Sequence, residues 1–363
     1  MSGGPGEGLR VAMVNDLPPD GPGRGGAETY IRRLSRGLTE TGATVTVITP
    51  DAPHTGWRRI LDVSDPAARR HVQAESRAFG ADVLHFHNVT RELSSAVYAA
   101  APELPAVVSL HDWRMFGRPD PGLGAGRRAV ERLVRQPLDL HRARRRADVA
   151  LPVSAALAEQ ARAHGFRRVE VLPVPADVAD LAPASTGDVV LFAGRLSEDK
   201  GWRVLLDAWA LLADAHPQLG LVLAGTGPDL AEVVARAAGL PRVEVAGQLA
   251  DLTVALARSR VVVVPSMPRV RPEGSPMISV EAALAGRPVV MSDDPGLREQ
   301  AELFGATLVP PGDAPALARG IAAAVVDPDV VGATARDRAL PRHAVAAVAA
   351  AALRVYASVR ARG

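Results

Sequence analysis

The chain has no cysteine. That excludes a disulfide framework, a thiolate nucleophile and a Cys-type zinc site. It has almost no lysine. Lys200 is the only one, and every other residue among the 42 Lys plus Arg is arginine. Aromatic residues make up only 4%, which favours a polar ligand over a large flat aromatic one. No run of about 18 apolar residues occurs, so no segment is expected to span a bilayer. There is no charge excess either. The 42 basic and 40 acidic residues leave a net +2, too balanced for nucleic acid to be the main partner. Met1–Gly8 is Gly-rich and carries no apolar h-region, so no secretory signal is read there and a cytoplasmic location is expected.

What is present is a chain of 363 residues, 47% hydrophobic and 23% charged. Those values fit a folded protein of about two domains. The lone lysine raises its own question. Arginine and lysine differ in bulk and hydrogen-bond geometry, so a site can require one of them.

Short apolar, β-branched runs recur. In the first half they are Leu9–Val14, Val45–Thr49, Val83–His87, Val107–Leu110, Val149–Val153 and Val169–Leu172. In the second half they are Val189–Ala193, Leu219–Ala224, Val243–Ala246, Val261–Pro265, Pro288–Ser292 and Ala306–Val309. Most are apolar at successive positions, as a parallel sheet covered on both faces requires. Helical stretches lie between them. Glu28–Leu38 puts Ile31, Leu34 and Leu38 on one stripe, with Gly42 as a stop. Trp202–Ala213 and Asp229–Ala238 also read as helices. This alternation predicts an α/β fold of doubly wound sheets with right-handed crossovers. It pauses at Pro173–Asp188, a Pro-, Ala- and Asp-rich linker between two domains. The expected domains are 1–175 and 176–342, with an Ala-rich helix at 343–363 returning to the first.

Ligands of open α/β sheets bind beyond the carboxyl ends of the strands. The residues placed there are His87-Asn88, His111-Asp112, Ser154, Gly194-Arg195, Gly225-Thr226-Gly227, Ser266 and Ser292-Asp293-Asp294. Gly25-Gly26 follows the first strand after a longer loop. Two such edges facing each other would form a cleft.

Three motifs carry chemistry. Phe192–Gly201 (FAGRLSEDKG) places Arg195 and Lys200 between a strand end and a helix start. Two cations near a helix N-terminus suit a pyrophosphate, although a solvated loop would read the same. Leu223–Asp229 (LAGTGPD) is a glycine turn before a helix, weak by itself. In Pro272–Ala282 (PEGSPMISVEA), Ser275 is an expected N-cap and Pro276 the first helical residue. Glu273 then lies in the loop and Glu281 within a helix whose neighbours are apolar. Carboxylates suit sugar or ribose hydroxyls rather than phosphate.

The order and spacing of these motifs, with the Glu-x7-Glu pair, resemble the retaining, nucleotide-sugar-dependent glycosyltransferases of family four. The resemblance runs over essentially the whole chain and implies the GT-B fold, two Rossmann-like domains. It implies that Arg195 and Lys200 bind the donor diphosphate, that Glu281 binds ribose and that Glu273 binds the transferred sugar. The loop Gly274, Ser275, Pro276 and Met277 would give backbone contacts, with Gly225, Thr226, Gly227 and Gln248 near the nucleotide. It also implies that Gly25 and Gly26, in Gly23–Glu28 (GRGGAE), approach the donor phosphate, and that His111 lies by the sugar. Glu273, Arg195, Lys200 and His111 are thus the expected catalytic group. The expected donor is a UDP-sugar ahead of a GDP-sugar, with no metal. The expected acceptor is a small polar molecule such as an aminocyclitol or antibiotic precursor. A lipid or cell-surface glycan acceptor, and a non-catalytic partner protein of the same fold, are the alternatives. An oxidoreductase is disfavoured, because no Gly-x-Gly-x-x-Gly directly follows the first strand.

Four features fall outside that pattern. His85 and His87 share one face of a strand, but spacing shows no third ligand for a metal. Asp327-Pro328-Asp329 resembles an Asp-x-Asp metal motif and is read as a turn. Pro173–Asp177 (PVPAD) stands where relatives often have Asn-Gly. Arg127–Arg146 carries eight arginines against Glu131 and Asp139. It is read as a solvated, partly helical face, and is where an anionic membrane or anionic acceptor would be met.

Overall fold

The computed structural model describes residues 4–20, 25–51, 64–90, 92–118, 124–178 and 180–361. The chain forms two units. One is Met1–Pro175 with Val345–Gly363, and the other is Ala176–Ala344.

In the first unit β1 (Arg10–Val14), β2 (Thr44–Ile48), β3 (Val83–Phe86), β4 (Ala106–Leu110) and β5 (Val149–Pro152) form a parallel sheet in the order β2-β1-β3-β4-β5. Val11, Ala12, Met13 and Val14 are all fully buried. Covering both faces of the sheet demands such a run of apolar side chains rather than an alternation. The helix α1 (Gly26–Glu40) buries Tyr30, Ile31, Leu34 and Leu38, and Gly42 follows its end at φ 95°. Further helices are α2 (Pro66–Phe79), α3 (Ala125–Val130), α4 (Gln136–Arg146) and α5 (Ala155–Ala163). A π-helical turn, Glu131–Arg135, joins α3 to α4.

In the second unit β6 (Val189–Ala193), β7 (Gly220–Ala224), β8 (Val243–Gly247), β9 (Ser259–Val264), β10 (Val289–Ser292) and β11 (Thr307–Val309) run in the order β11-β10-β9-β6-β7-β8, again parallel. Its helices are α6 (Trp202–Leu212), α7 (Leu230–Ala237), α8 (Leu252–Arg258), α9 (Met277–Leu284), α10 (Arg298–Phe304), α11 (Ala314–Ala324) and α12 (Pro328–His343). Trp202, Leu205, Leu206, Trp209 and Leu212 of α6 are buried in the sheet core. The last helix, α13 (Val345–Arg360), belongs to the first unit and packs on α1.

Several expectations are corrected. Val169–Leu172 is no strand but a single bridge from Val169 to Ala150. Ala150 exchanges bonds with Arg168 and Glu170, and Leu172 N donates to Pro152 O. Pro152 has no N–H to return, so the ladder stops. Asp327-Pro328-Asp329 is not a free turn: Asp327 occupies the N-cap position of α12, without a side-chain capping bond, and Pro328 opens the helix. Asp329 accepts from Ser185 N and Oγ, at 2.9 and 2.5 Å. Arg127–Arg146 is not simply solvated, because Glu131, Arg135, Gln136, Asp139 and Ala143 are buried.

Candidate active site

The second unit has its topological switch point between β6 and β9. The chain leaves β6 toward β7 on one side and later returns to β9 on the other. Loops diverge there and leave a crevice. The loop after β6 is laced to the loop after β7: Leu196 N donates to Thr226 O at 2.9 Å and Asp229 N to Leu196 O at 3.1 Å. Gly225, at φ 137°, would put a Cβ 1.9 Å from Gly194 O, and a Cβ on Gly227 would lie 2.1 Å from Leu196 O. The glycine turn therefore has a packing reason of its own, whatever it binds.

Asp199 organises the cationic loop. Its carboxylate accepts from Ser197 Oγ at 2.5 Å and pairs with Arg195 Nη2 at 3.3 Å. Burial would push its pKa up. The Ser197 hydroxyl, Lys200 and Arg195 outweigh that and hold it below the usual range. Met267 N donates to Asp199 O at 2.8 Å, which ties this loop to the one after β9. Gly201 follows at φ 68°, where a Cβ would come 1.8 Å from Pro265 O. Gly201→Ala is expected to cost about 3 kcal/mol, from left-handed backbone plus overpacking. Urea unfolding would read it, and an unchanged midpoint would refute the claim.

That pinned backbone delivers Lys200. Its Nζ lies 2.6 Å from Glu273 Oε1, and Ser266 Oγ donates to the same oxygen at 2.5 Å. Lys200 is half-buried and Glu273 buried. The Glu273 loop is held from below by Asp294, which is fully buried at the end of β10. Asp294 accepts from Glu273 N at 3.1 Å and Gly296 N at 2.7 Å. Burial pushes its pKa up to about 6.

The structure thus brings Arg195, Lys200 and Glu273 to one sheet edge, with Gly225, Thr226 and Gly227 beside them after β7. Gly274 is buried, and Ser275, Pro276 and Met277 are half-buried. The expected cap differs: α9 begins at Met277 with Pro276 as its N-cap residue. Ser275 precedes a proline, which disfavours helical backbone, and its Oγ accepts from Gln300 Nε2 at 2.8 Å instead. Glu281 is half-buried on α9, between the solvated and fully buried extremes. Gln248 follows β8, the edge strand, and is exposed.

In the first unit the switch point lies between β1 and β3. Gly25 precedes α1, and its N–H donates to Glu28 Oε2 at 2.8 Å, so that amide is already engaged. Glu28 Oε1 accepts from Asn15 Nδ2 at 3.3 Å, and Asn15 Oδ1 from Asn88 N at 3.1 Å. Gly26 is the first helical residue and is exposed. Gly23 and Arg24 lie outside the described residues. His111 Nε2 meets His87 Nδ1 at 3.0 Å, and its ring sits edge-on to Tyr30 with centroids 4.8 Å apart. Burial holds its pKa down to about 4, so the imidazole is neutral at physiological pH. His85 and His87 do share a face, but both His85 nitrogens are taken: Tyr356 Oη at 2.7 Å and Ser109 Oγ at 2.8 Å.

Asp199, Ser266, Asp294, Asn15 and Glu28 support the site residues without any role that the motifs assign them. Ser266 and Asp294 were visible only as strand-end polar residues. Nothing local says that they converge on Glu273.

A family model described as Glycosyltransferase Family 4 matches residues 24–180, and one described as Glycosyl transferases group 1 matches residues 187–327. Three curated relatives are similar. An uncharacterized glycosyltransferase, YqgM, of Bacillus subtilis (strain 168) is 27% identical over 61% of this chain and 61% of its own. The 2-deoxystreptamine glucosyltransferase of Streptomyces kanamyceticus is 32% identical over 45% of this chain and 46% of its own. The chain thus spans between about half and two thirds of those two relatives. The phosphatidyl-myo-inositol mannosyltransferase of Mycobacterium leprae (strain TN) is 27% identical over 98% of both. Among solved structures, sucrose-phosphate synthase of Thermosynechococcus elongatus has a TM-score of 0.77 at 20% identity, covering 98% of this chain and 100% of that one. HepE of Anabaena, in complex with UDP and glucose, has a TM-score of 0.72 at 20% identity, covering 96% and 100%. At these identities the likeness is one of fold.

Proposed function

This chain belongs to glycosyltransferase family four and has the GT-B fold, and on that premise we propose that it moves a sugar, with retention, from a nucleoside-diphosphate sugar to a hydroxyl of a polar acceptor. The carrying observation is the lone lysine, ion-paired to Glu273 at the switch point of the second unit. Arg195 and Lys200 bind the donor diphosphate. Glu273 and the backbone of Gly274–Met277 bind the transferred sugar, and Glu281 the ribose. His111 and the Gly25-Gly26 helix start serve the sugar and acceptor.

The chemistry follows from charge. As the sugar–phosphate bond breaks, negative charge grows on the diphosphate. Fixed cations stabilise that charge more than the ground state, which lowers the barrier. Lys200 is held by Glu273 before donor arrives and needs no search for its position. Arg195 is steered by Asp199 in the same way. Two side-chain cations supply the electrostatics, so transfer is expected to persist in EDTA. The Glu273 carboxylate, bonded by Lys200 and Ser266, is a poor nucleophile. That supports attack by the acceptor on the face the diphosphate leaves.

The solved neighbour described with UDP and glucose supports a UDP-sugar. The relatives named for 2-deoxystreptamine and for phosphatidyl-myo-inositol support a hydroxylated ring as acceptor. A thermal-shift panel of UDP, GDP, ADP, dTDP and NAD, without added metal, tests the donor site. A ligand that binds only the folded state raises Tm; at 100 Kd the gain is about 2.7 kcal/mol. The expected result is a rise with UDP. A rise with NAD alone, or with none of the five, would overturn the proposal.

A further inference from the structure

Glu273 is held at both ends. Lys200 and Ser266 take its carboxylate at 2.6 and 2.5 Å. Asp294 takes its backbone. The Asp294 side chain is fully buried. Its Oδ2 accepts from Glu273 N at 3.1 Å and its Oδ1 from Gly296 N at 2.7 Å, so each oxygen serves a different loop. Its own carbonyl accepts from Leu297 N at 2.8 Å and Arg298 N at 3.1 Å, where α10 begins. The two loops are pressed together: a Cβ on Gly296 would lie 1.8 Å from Glu273 O. Farther along, the buried Gln300 gives the Glu273 loop a second hold, through Ser275 Oγ at 2.8 Å and Ser279 Oγ at 2.7 Å.

A turn does not need a buried charge. Burial disfavours the ionised form of Asp294, and the neighbouring Glu273 adds like-charge repulsion. The charged groups facing Asp294 are Glu273, which repels it, and Lys200, which attracts it. On its own turn Arg298 attracts it too, but pairs with Asp293 at 2.6 Å. What only a carboxylate provides is acceptor capacity on both oxygens. A charge kept against stability beside a ligand-binding group points to function. We propose that Asp294 is a positioning residue for the donor sugar: its charged carboxylate ties the Glu273 and Gly296 N–H groups together and so fixes where the Glu273 side chain meets the sugar, while Arg195 and Lys200 hold the diphosphate from another loop. The inference rests on Glu273 binding the transferred sugar. Protonation of Asp294 turns one acceptor oxygen into a donor, which one of the two N–H groups then faces unpaired. Sugar recognition therefore weakens as Asp294 takes up its proton.

Calorimetric titration of the full chain with UDP-glucose and with UDP tests it. Asp294→Asn keeps the shape but leaves one acceptor oxygen and turns an NH2 toward the other N–H. At pH 7.5 the variant is expected to bind UDP-glucose about 10-fold more weakly, the scale of one hydrogen bond to a charged group, and to bind UDP within about twofold of the unaltered chain. The unaltered chain is expected to lose affinity for UDP-glucose between pH 7.5 and 5.5, across the value of about 6 to which burial pushes Asp294. The variant is expected to show no such loss. Both carry the same histidines, so acid effects on the first unit are common to both. Should the variant not fold, the amide resonances of Glu273 and Gly296 in the unaltered chain are expected to shift together over the same range, in step with the UDP-glucose affinity. Equal weakening of UDP and UDP-glucose in the variant, the same pH dependence in both proteins, or amide shifts that do not follow affinity would overturn the proposal and leave Asp294 a packing residue. UDP binding that stands while UDP-glucose affinity is unmoved fails this proposal alone; failure of UDP to bind either protein overturns the donor site with it.

Discussion

Replacing Lys200 by alanine is expected to cut kcat at least 10²-fold while the chain stays folded. The figure follows from placing a fixed cation where charge develops; a factor of 10² corresponds to about 2.7 kcal/mol of barrier. Glu281→Ala is expected to lose as much, through the ribose anchor that aligns the donor. The two variants should differ in stability. Lys200→Ala strips the buried Glu273 of its cation at 2.6 Å, while the Ser266 hydroxyl still donates to it. A broken, fully buried pair costs about 3–5 kcal/mol, and the partly exposed Lys200 puts this one below that. Glu281 is half-buried on a helix that Ile278, Val280, Ala282 and Leu284 hold in the core, so its loss should lower Tm less than the loss of Lys200 does. Lys200→Arg restores the charge but not the compact ammonium, and should recover only part of the rate. Rates per folded molecule, with Tm measured alongside, decide the matter. Near-normal turnover in both alanine variants would sink the assignment.

Acidification below pH 6.5 is expected to unfold the first unit first. His85 and His87 are fully buried in it. Burial, reinforced by neighbouring histidines, holds His85 down to about 3 and His87 well below its ordinary value. An unfolded histidine takes up its proton near 6.5, and these two do not while folded. Their stabilisation is therefore complete above 6.5 and is lost as pH falls toward the folded values. For His85 the cost is about 1.4 kcal/mol per pH unit, about 2 kcal/mol by pH 5, against a typical total of 5–15. His87 adds to the loss in the same direction. His111, half-buried and held near 4, acts in the same direction. Asp294 in the second unit acts oppositely. Raised to about 6 by burial, it takes up its proton in the folded state before the unfolded one does. Hydrogen exchange by mass spectrometry at pH 7.5, 6 and 5 would follow each unit, with β3 and β4 peptides losing protection before β6 and β9. Equal protection at pH 7.5 and 5 would contradict this.

The same histidines show how far sequence reached. Their alternation put His85 and His87 on one face, and that is where they are. Period alone left a metal pair or a packed core open. The choice was made by Tyr356, 271 residues away from His85 in the chain, and by Ser109. Likewise, apolar runs located all the strands of both sheets to within two residues, save Val169–Leu172, where the missing N–H of Pro152 ended the ladder.

Hydrophobic period, glycine turns and the spacing of Arg195, Lys200, Glu273 and Glu281 are local, so the chain alone determined the alternating α/β architecture and the family. Strand order is not local. β9 lies beside β6 only because the chain reverses its winding after β8, and that neighbourhood brings Ser266 and Glu273 to Lys200. Asp294 joins them from β10 by the same step. The α3–α4 segment was also hidden. Composition could not say that Glu131 and Asp139 would be buried and Leu133 exposed; packing of α4 on the turns Ser95–Ala99 and Trp113–Phe116 decided it.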